Sequence, residues 1–333
     1  MTKSRHPFGL FLLFTSLALH LATLLLFSKQ PDLLAAFTIL PIWFWGTLGL
    51  TLSLSAHLLF RTPLALTMSL VWFLSILLLS DESTPIGRIG LTPPEPGIPA
   101  PHAGRTPIRI LTINWSNQES TLVESIKPWQ PDIVFIQGVP RLDLVAQLSQ
   151  SLHGRNGDYR FSKDYTCAIV LRGEISMALL NPRYRSQFVT ARLPSGAEVE
   201  LVNLHLQPAS TNLSLWDPKC WRAHRTNREN RRLELQFAVA FLEEYTPFPR
   251  RPAIIAGDFN APANDAALRV LRPDFTDNFQ AVGTGWGNTY HRRIPLLRLD
   301  QIHTSQAFLP IRSRTVAIPE SDHLMLISDL LLE

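Results

Sequence analysis

Three runs in the first eighty residues, 8–27, 33–60 and 63–80, contain no Asp, Glu, Lys or Arg. A chain crosses a hydrocarbon layer only when its backbone polar groups bond within the segment, which for one run means a helix of about 20 residues. A single run of this kind suits a buried core helix. Three in succession, parted only by residues 28–32 and by Arg61 and Thr62, predict three transmembrane helices. Pro41, Trp43 and Trp45 near the start of the second run fit a helix with interfacial aromatics. Lys3 and Arg5 before the first run also suit a signal peptide, but no small-residue cleavage site follows. Counting Lys3, Arg5 and Arg61 on one side against Lys29 and Arg88 on the other places the N-terminus in the cytoplasm. Everything after residue 80 then lies outside it. The expectation is an integral, multi-pass protein, with the bilayer as one partner through these helices.

Residues 81–105 are rich in Pro and Gly and read as a semi-extended linker. From 106 to 333 the pattern changes to short apolar runs ended by polar residues. Strands are expected at 108–113, 131–137, 165–171, 174–180, 187–193, 197–204, 254–258, 299–303, 311–317 and 324–331. Arg172-Gly173 and Pro194-Ser195-Gly196 read as turns of two strand pairs. Helices are expected around 122–127 and from 227 to 244. Many strands, few helices and polar residues gathered at strand ends indicate an α/β fold of two packed sheets with helices outside.

One stretch concentrates the chemistry. Ile254-Ile255-Ala256 reads as a buried strand, Gly257 permits an unusual backbone turn, and Asp258 and Asn260 follow two residues apart. A carboxylate beside an amide suits holding a metal ion or a nucleophilic water near a phosphate. The same residues are also ordinary turn formers. Other strand ends carry Asn114, Gln137, Asn203 and His205, Asp300, and Asp322-His323. A single His after an apolar strand is often a hydrogen-bonded core residue, Asn114 also suits a plain turn, and Asp300 also suits an ion pair with Arg298.

Lys219, Arg222, Arg225, Arg228, Arg231 and Arg232 recur almost every third residue beside Trp216 and Trp221. They form either a solvated helix face or a cationic rim for phosphates, the rim candidates being Arg222, Arg225, Arg228 and Arg232. A net charge of +4 is too small to argue by itself for a nucleic-acid partner. Cys167 and Cys220 form no metal-type pair and do not decide the compartment. No Gly-x-Ser-x-Gly, His-Glu-x-x-His or phosphate-binding Gly-x-x-x-x-Gly-Lys occurs.

The order of these strand-end residues resembles the endonuclease/exonuclease/phosphatase superfamily over residues 106–333. The resemblance rests on Asn114, Asp132 to Gln137, Asn203-Leu204-His205, Gly257-Asp258-Phe259-Asn260, Arg298-Leu299-Asp300-Gln301-Ile302 and Ser321-Asp322-His323. It implies a four-layer sandwich and a phosphoesterase dependent on Mg²⁺ or Mn²⁺. It implies catalytic roles for His205, Asp258, Asn260, Asp300 and His323, and metal ligation by Asn114, Asp322 and Asp258. Substrates of the class are phosphate esters: nucleic acid, phospholipid or a small phosphodiester. Gly138 stands where the family has a ligand Glu. Gln137 and Glu119 are the nearest other oxygen donors, and Tyr165 lies in a segment that departs from the family pattern. A second reading is therefore a relative that binds phosphorylated ligands or partners without hydrolysing them.

Overall fold

The structure is a computed structural model that describes residues 5–88, 90–115, 121–139, 141–162, 167–181, 186–208, 212–245 and 251–333. Glu119 and Tyr165 lie outside the described residues. The chain divides into two units, Met1–Thr84 with Ser210–Thr226, and Pro85–Ala209 with Asn227–Glu333.

In the first unit three helices run over Arg5–Lys29, Ile42–Phe60 and Pro63–Leu79. Ser16, Ser53 and Ser69 face inward, while the exposed Thr47, Thr51 and Thr67 bond back to carbonyls of their own helices. Ser16 Oγ donates to Gly49 O at 2.9 Å and accepts from Trp72 Nε1 at 2.9 Å, and the Ser53 and Ser69 hydroxyls meet at 2.8 Å. A Cβ on Gly49 would fall 1.9 Å from the Trp72 ring, so only glycine permits this packing. The exposed faces carry Phe11, Phe14, Leu58, Leu70 and Leu78. Two of the helices are long and apolar enough to cross a membrane, Pro7–Lys29 and Ile42–Phe60. This corrects the expected three. The third helix has 17 residues, about 26 Å at 1.5 Å per residue, short of a hydrocarbon core of about 30 Å. The second expected run is also shorter, because Pro41 starts a new helix and Ala35–Thr38 is a separate turn.

The second unit is built from two six-stranded sheets. Strands β1 (Ile108–Asn114), β2 (Ile133–Gln137), β3 (Gly157–Ser162) and β4 (Cys167–Arg172) join two C-terminal strands in the first sheet. Strands β5 (Glu174–Asn181), β6 (Ser186–Arg192), β7 (Glu198–His205), β8 (Ala253–Asp258), β9 (Phe275–Asp277) and β10 (Asp300–Ser305) form the second. β11 (Phe308–Ala317) and β12 (Leu324–Leu332) return to the first. The orders are β11-β12-β1-β2-β4-β3 and β5-β6-β7-β8-β10-β9. Among the strands of the described residues, only β1/β2 and β7/β8 pair in parallel.

Alternation explains the layering. Ile110, Ile133, Phe135, Leu201, Ile254, Ala256 and Leu326 fill the space between the sheets. Their neighbours Leu111, Val134, Ile136 and Ile327 face outward against the helices Leu122–Ile126 and Leu142–His153. Val202, Leu204 and Ile255 face the helix Pro218–Tyr245 through Leu235, Ala238 and Leu242. A strand buried on both faces must be apolar at both parities, which is why these runs read as continuous rather than alternating.

Three local expectations need correction. β4 and β5 do not pair, because the chain passes from one sheet to the other at Gly173, whose φ is +136°. A Cβ there would lie 2.3 Å from Arg192 O. The helix expected at 227 begins at Pro218. The Pro-rich stretch is bonded to the domain rather than hanging free. Arg109 Nη1 donates to Glu95 O, Gly97 O and Trp129 O at 2.7–2.8 Å, while its Nε and Nη2 grip Asp329 at 2.7 and 3.0 Å. Arg314 donates to Pro94 O and Arg312 to Ala100 O. No disulfide links Cys167 to Cys220.

Candidate active site at one edge of the sandwich

The topology dictates where the polar strand ends meet. Parallel pairing of β1 with β2 aligns Asn114 with Gln137, and parallel pairing of β7 with β8 aligns His205 with Asp258. The antiparallel strands β10 and β12 start where their partners end, so Asp300 lies opposite Asp258, and His323 precedes β12 beside the end of β1. Seven residues predicted from separate stretches therefore lie at one edge: Asn114, His205, Asp258, Asn260, Asp300, Asp322 and His323.

Gly257 makes this alignment possible. Its φ is +140°, and a Cβ would sit 2.0 Å from Leu204 O, so only glycine lets β8 approach β7 here. The strand stops at Asp258, and Asn260 turns into the left-handed region at φ +49°, where Asn is tolerated. The Asn260 backbone N–H then donates to Asp258 Oδ1 at 2.8 Å, and its side-chain amide donates to Leu206 O at 3.0 Å. The Asn114 amide donates to Asp258 Oδ2 at 2.9 Å, linking the two sheets. His205 Nε2 lies 4.0 Å from the same oxygen. Burial raises the Asp258 pKa, with His323 and His205 opposing the rise and Asp300 adding to it.

His323 Nδ1 is 2.7 Å from Asp300 Oδ2. Burial of the imidazole acts to lower its pKa, but the carboxylates of Asp300, Asp258 and Asp322 outweigh burial and raise it to about 9. Without a metal ion the imidazolium is therefore the form favoured at neutral pH, and ligation through His323 would require its neutral form. The His323 backbone N–H donates to Ser321 Oγ at 2.9 Å, and Ser321 Oγ donates to Asn114 O, tying the start of β12 to the end of β1. Thr289 Oγ1 accepts from the N–H groups of Leu299 and Asp300, both at 3.1 Å. The Tyr290 ring packs 4.9 Å from that of His323. Thr289 and Tyr290 carried no sequence signal, since residues 284–297 have no periodicity. Ser321 was visible only as part of a triplet.

Asp258, Asp300 and His323 each present a ligand atom within 4.8 Å of the others, a possible metal site. Among the described residues Asp300 Oδ1 is buried with no hydrogen-bond donor, and buried carboxylate oxygens of this kind fit a hard divalent cation. The β2 end contributes no carboxylate. Gly138 has φ +74°, and a Cβ there would lie 3.1 Å from both Asn114 Oδ1 and Trp115 O. Gln137 instead bridges the sheets, its Nε2 donating to Asn203 Oδ1 at 2.7 Å, while Asn203 Nδ2 donates to Ile136 O and Ala168 O.

The cationic rim is corrected at one position. Arg228 is buried, its Nε 3.2 Å from the buried Asp265, with Arg231 Nη2 at 3.8 Å from the same carboxylate. It holds the segment after β8 and faces no solvent. Arg222 and Arg225 are exposed and Arg232 half-buried on the same helix.

A family model described as the endonuclease/exonuclease/phosphatase family matches residues 112–323. Among solved structures, an endonuclease/exonuclease/phosphatase from Bacteroides vulgatus is 20% identical with a TM-score of 0.53. That match covers 69% of this chain and 100% of that one. A mannosyl-6-phosphatase from Bacteroides thetaiotaomicron is 14% identical with a TM-score of 0.54, covering 68% and 100%. Humanized TDP2 of D. rerio is 17% identical with a TM-score of 0.51, covering 68% and 99%. None of the curated proteins matches the chain. At these identities the structural likenesses carry the fold alone, while the family match spans most of the chain and every strand-end residue of the site: the protein belongs to the endonuclease/exonuclease/phosphatase family.

Proposed function

We propose that the chain is a membrane-anchored, divalent-metal-dependent phosphoesterase that hydrolyses a phosphate ester by in-line attack of water. The observation that carries this is the convergence of His205, Asp258, Asp300 and His323 at one edge, with Asp258 fixed by Asn114 and Asn260. Asp258 is the base. Its two oxygens are each held by one donor, and burial raises its proton affinity, which suits taking a proton from water. His323, held as an imidazolium by Asp300, places positive charge where phosphoryl oxygens gain negative charge. His205, partly open to solvent, donates to the phosphate or the leaving oxygen, and Asn260 aligns the water. Asn114 and Asp322, with Asp258 as a further ligand, would hold Mg²⁺ or Mn²⁺, which would supply charge neutralisation on the phosphoryl group. Arg222, Arg225 and Arg232 remain candidates for a cationic rim.

The membrane anchor rests on the helices of the first unit. Ser16, Ser53 and Ser69 bond inward there, the exposed faces are mainly Leu and Phe, and the exposed hydroxyls of Thr47, Thr51 and Thr67 bond to their own helix carbonyls. Such an arrangement suits lipid rather than water. Two spans return the chain to the side of its N-terminus, so the placement of the catalytic unit outside the cytoplasm, which needed three crossings, does not carry over.

The test is Asp258→Asn and Asn260→Ala in the full chain on an aryl phosphodiester. Asp258→Asn lowers kcat by about 10²–10⁴ with a smaller change in KM. Wild-type kcat in Asp258→Asn refutes the assignment. Gly138 favours the second reading, binding without hydrolysis. Metal-independent capture of phosphorylated ligand with no turnover by wild type selects it.

A further inference from the structure

Residues 284–297 form a braced hairpin welded to the site. Tyr290 bridges Leu297 on one side and His323 on the other. Thr289 N–H donates to Leu297 O at 2.9 Å and Leu296 N–H to Tyr290 O at 2.8 Å. Trp286 Nε1 donates to Pro295 O at 2.7 Å, and Asn288 Nδ2 to Leu296 O at 3.0 Å. Its other attachments reach the catalytic residues directly. Leu324 N–H donates to Thr289 O at 2.8 Å and Arg292 N–H to Asp322 O at 2.6 Å, flanking His323.

This rigid element ends in an apolar tip. Ile294 is 68% and Leu296 44% exposed, although folding normally buries such side chains. His291 and Arg293 are exposed at the same tip, and residues 284–297 contain no Asp or Glu. Exposed aliphatic residues beside the Arg293 guanidinium on an internally bonded loop have the chemistry of an interfacial anchor. The aliphatic groups enter the headgroup/acyl boundary and the guanidinium meets anionic headgroups. The same hairpin exposes Trp286 and Tyr290, but Trp286 Nε1 is bonded to Pro295 O and Tyr290 packs on His323. A single-stranded nucleic acid would call for a row of aromatic faces along a cationic groove, whereas the tip itself, Ile294 and Leu296, is aliphatic. Two helices of the first unit are long and apolar enough to cross a membrane, and the anchor proposed from them would hold the chain at a bilayer.

We infer that the 284–297 hairpin docks on an anionic phospholipid surface and brings bilayer-borne phosphate esters to the Asp300–His323 end of the site. The substrate class is then a lipid-headgroup phosphoester. This rests on the phosphoesterase reading for its chemistry, but the docking is measured without turnover. Because Cys167 and Cys220 are buried, a cysteine at Ile294→Cys takes an environment-sensitive NBD label selectively. Ser195→Cys, exposed in the β6–β7 turn at the opposite edge, is the control.

The full chain is placed in nanodiscs of phosphatidylcholine alone or with phosphatidylglycerol, with lipid-borne spin labels as quenchers. At 294 the emission shifts to the blue, and quenching exceeds that at 195 by on the order of fivefold, as for a label about 5–10 Å into the boundary. Phosphatidylglycerol strengthens both effects, and Arg293→Gln in the labelled chain removes that lipid dependence. Water-like emission and equal quenching at 294 and 195 overturn the docking. A shift at 294 produced by a single-stranded oligonucleotide but not by lipid overturns it in favour of nucleic acid. Failure of the phosphoesterase reading shows instead as absent hydrolysis of a soluble phosphodiester, which leaves the label readout untouched.

Discussion

Replacing Asp300 by Asn tests the electrostatics of the site most sharply. The carboxylate lies 2.7 Å from His323 Nδ1 in a place where both side chains are buried. Raising the imidazole pKa from 6.5 to about 9 favours the imidazolium by about 3 kcal/mol. That matches the upper range of about 1.5–3 kcal/mol for a hydrogen bond to a charged group. Asparagine keeps the shape and removes the charge, so burial is opposed only by the more distant carboxylates. In metal-free full chain, with histidine ¹³C labelling and His323→Gln to assign the resonance, the His323 titration should move down by about 2 pH units or more.

The stability consequence has a defined sign. A pKa raised by folding contributes stability that is complete below 6.5 and is lost as pH rises through about 9. The stability gap between wild type and Asp300→Asn should therefore narrow by about 3 kcal/mol between pH 6.5 and pH 10. An unmoved His323 titration, or a gap independent of pH, refutes the reasoning.

His303 works in the opposite direction. Burial lowers its pKa to about 4, so it folds neutral, and its contribution, present above 6.5, is lost as pH falls towards 4. About 3 kcal/mol of acid sensitivity in that window should disappear in His303→Gln, measured by denaturant unfolding against pH; identical slopes in both proteins contradict it. Arg109→Met removes the bidentate partner of buried Asp329, leaving Arg312 Nε at 3.1 Å as its remaining cation, and frees the carbonyls of Glu95 and Gly97. It should cost about 3 kcal/mol by thermal unfolding, the low end for a broken buried pair, and a loss below about 1 kcal/mol contradicts the strapping of the Pro-rich segment. Alanine at Gly138 should cost about 1–2 kcal/mol from the left-handed backbone. Alanine at Gly257 should cost far more, because its Cβ meets backbone at 2.0 Å. The reverse order of the two refutes the argument from close approach.

Most of the site was legible because its residues end apolar strands, and strand ends on one edge converge whichever strands intervene. Asp258, Asp300 and His323 come from stretches 42 and 23 residues apart by number, yet each announces itself by a polar residue bounding an apolar run. What stayed hidden depends on partners distant in sequence. Arg228 looks like its exposed neighbour Arg225 until Asp265 folds against it. The run around Gly173 has the alternation of a hairpin, and only its φ of +136° sends β5 into the other sheet. The helix from Pro218 starts in charged sequence with no apolar stripe to mark it. The 284–297 hairpin has no periodicity at all, although its Tyr290 touches His323. The third apolar run has the composition of a span but, at 17 residues, not the length.

The most direct test of the account is hydrolysis of an aryl phosphodiester by the full chain in detergent. Wild type and His205→Ala are compared with EDTA and then with Mg²⁺ or Mn²⁺ restored. The account predicts turnover that EDTA abolishes, that either metal restores, and that His205→Ala lowers by about 10² or more. Wild type no faster than metal alone, or equal rates for wild type and His205→Ala, would contradict it.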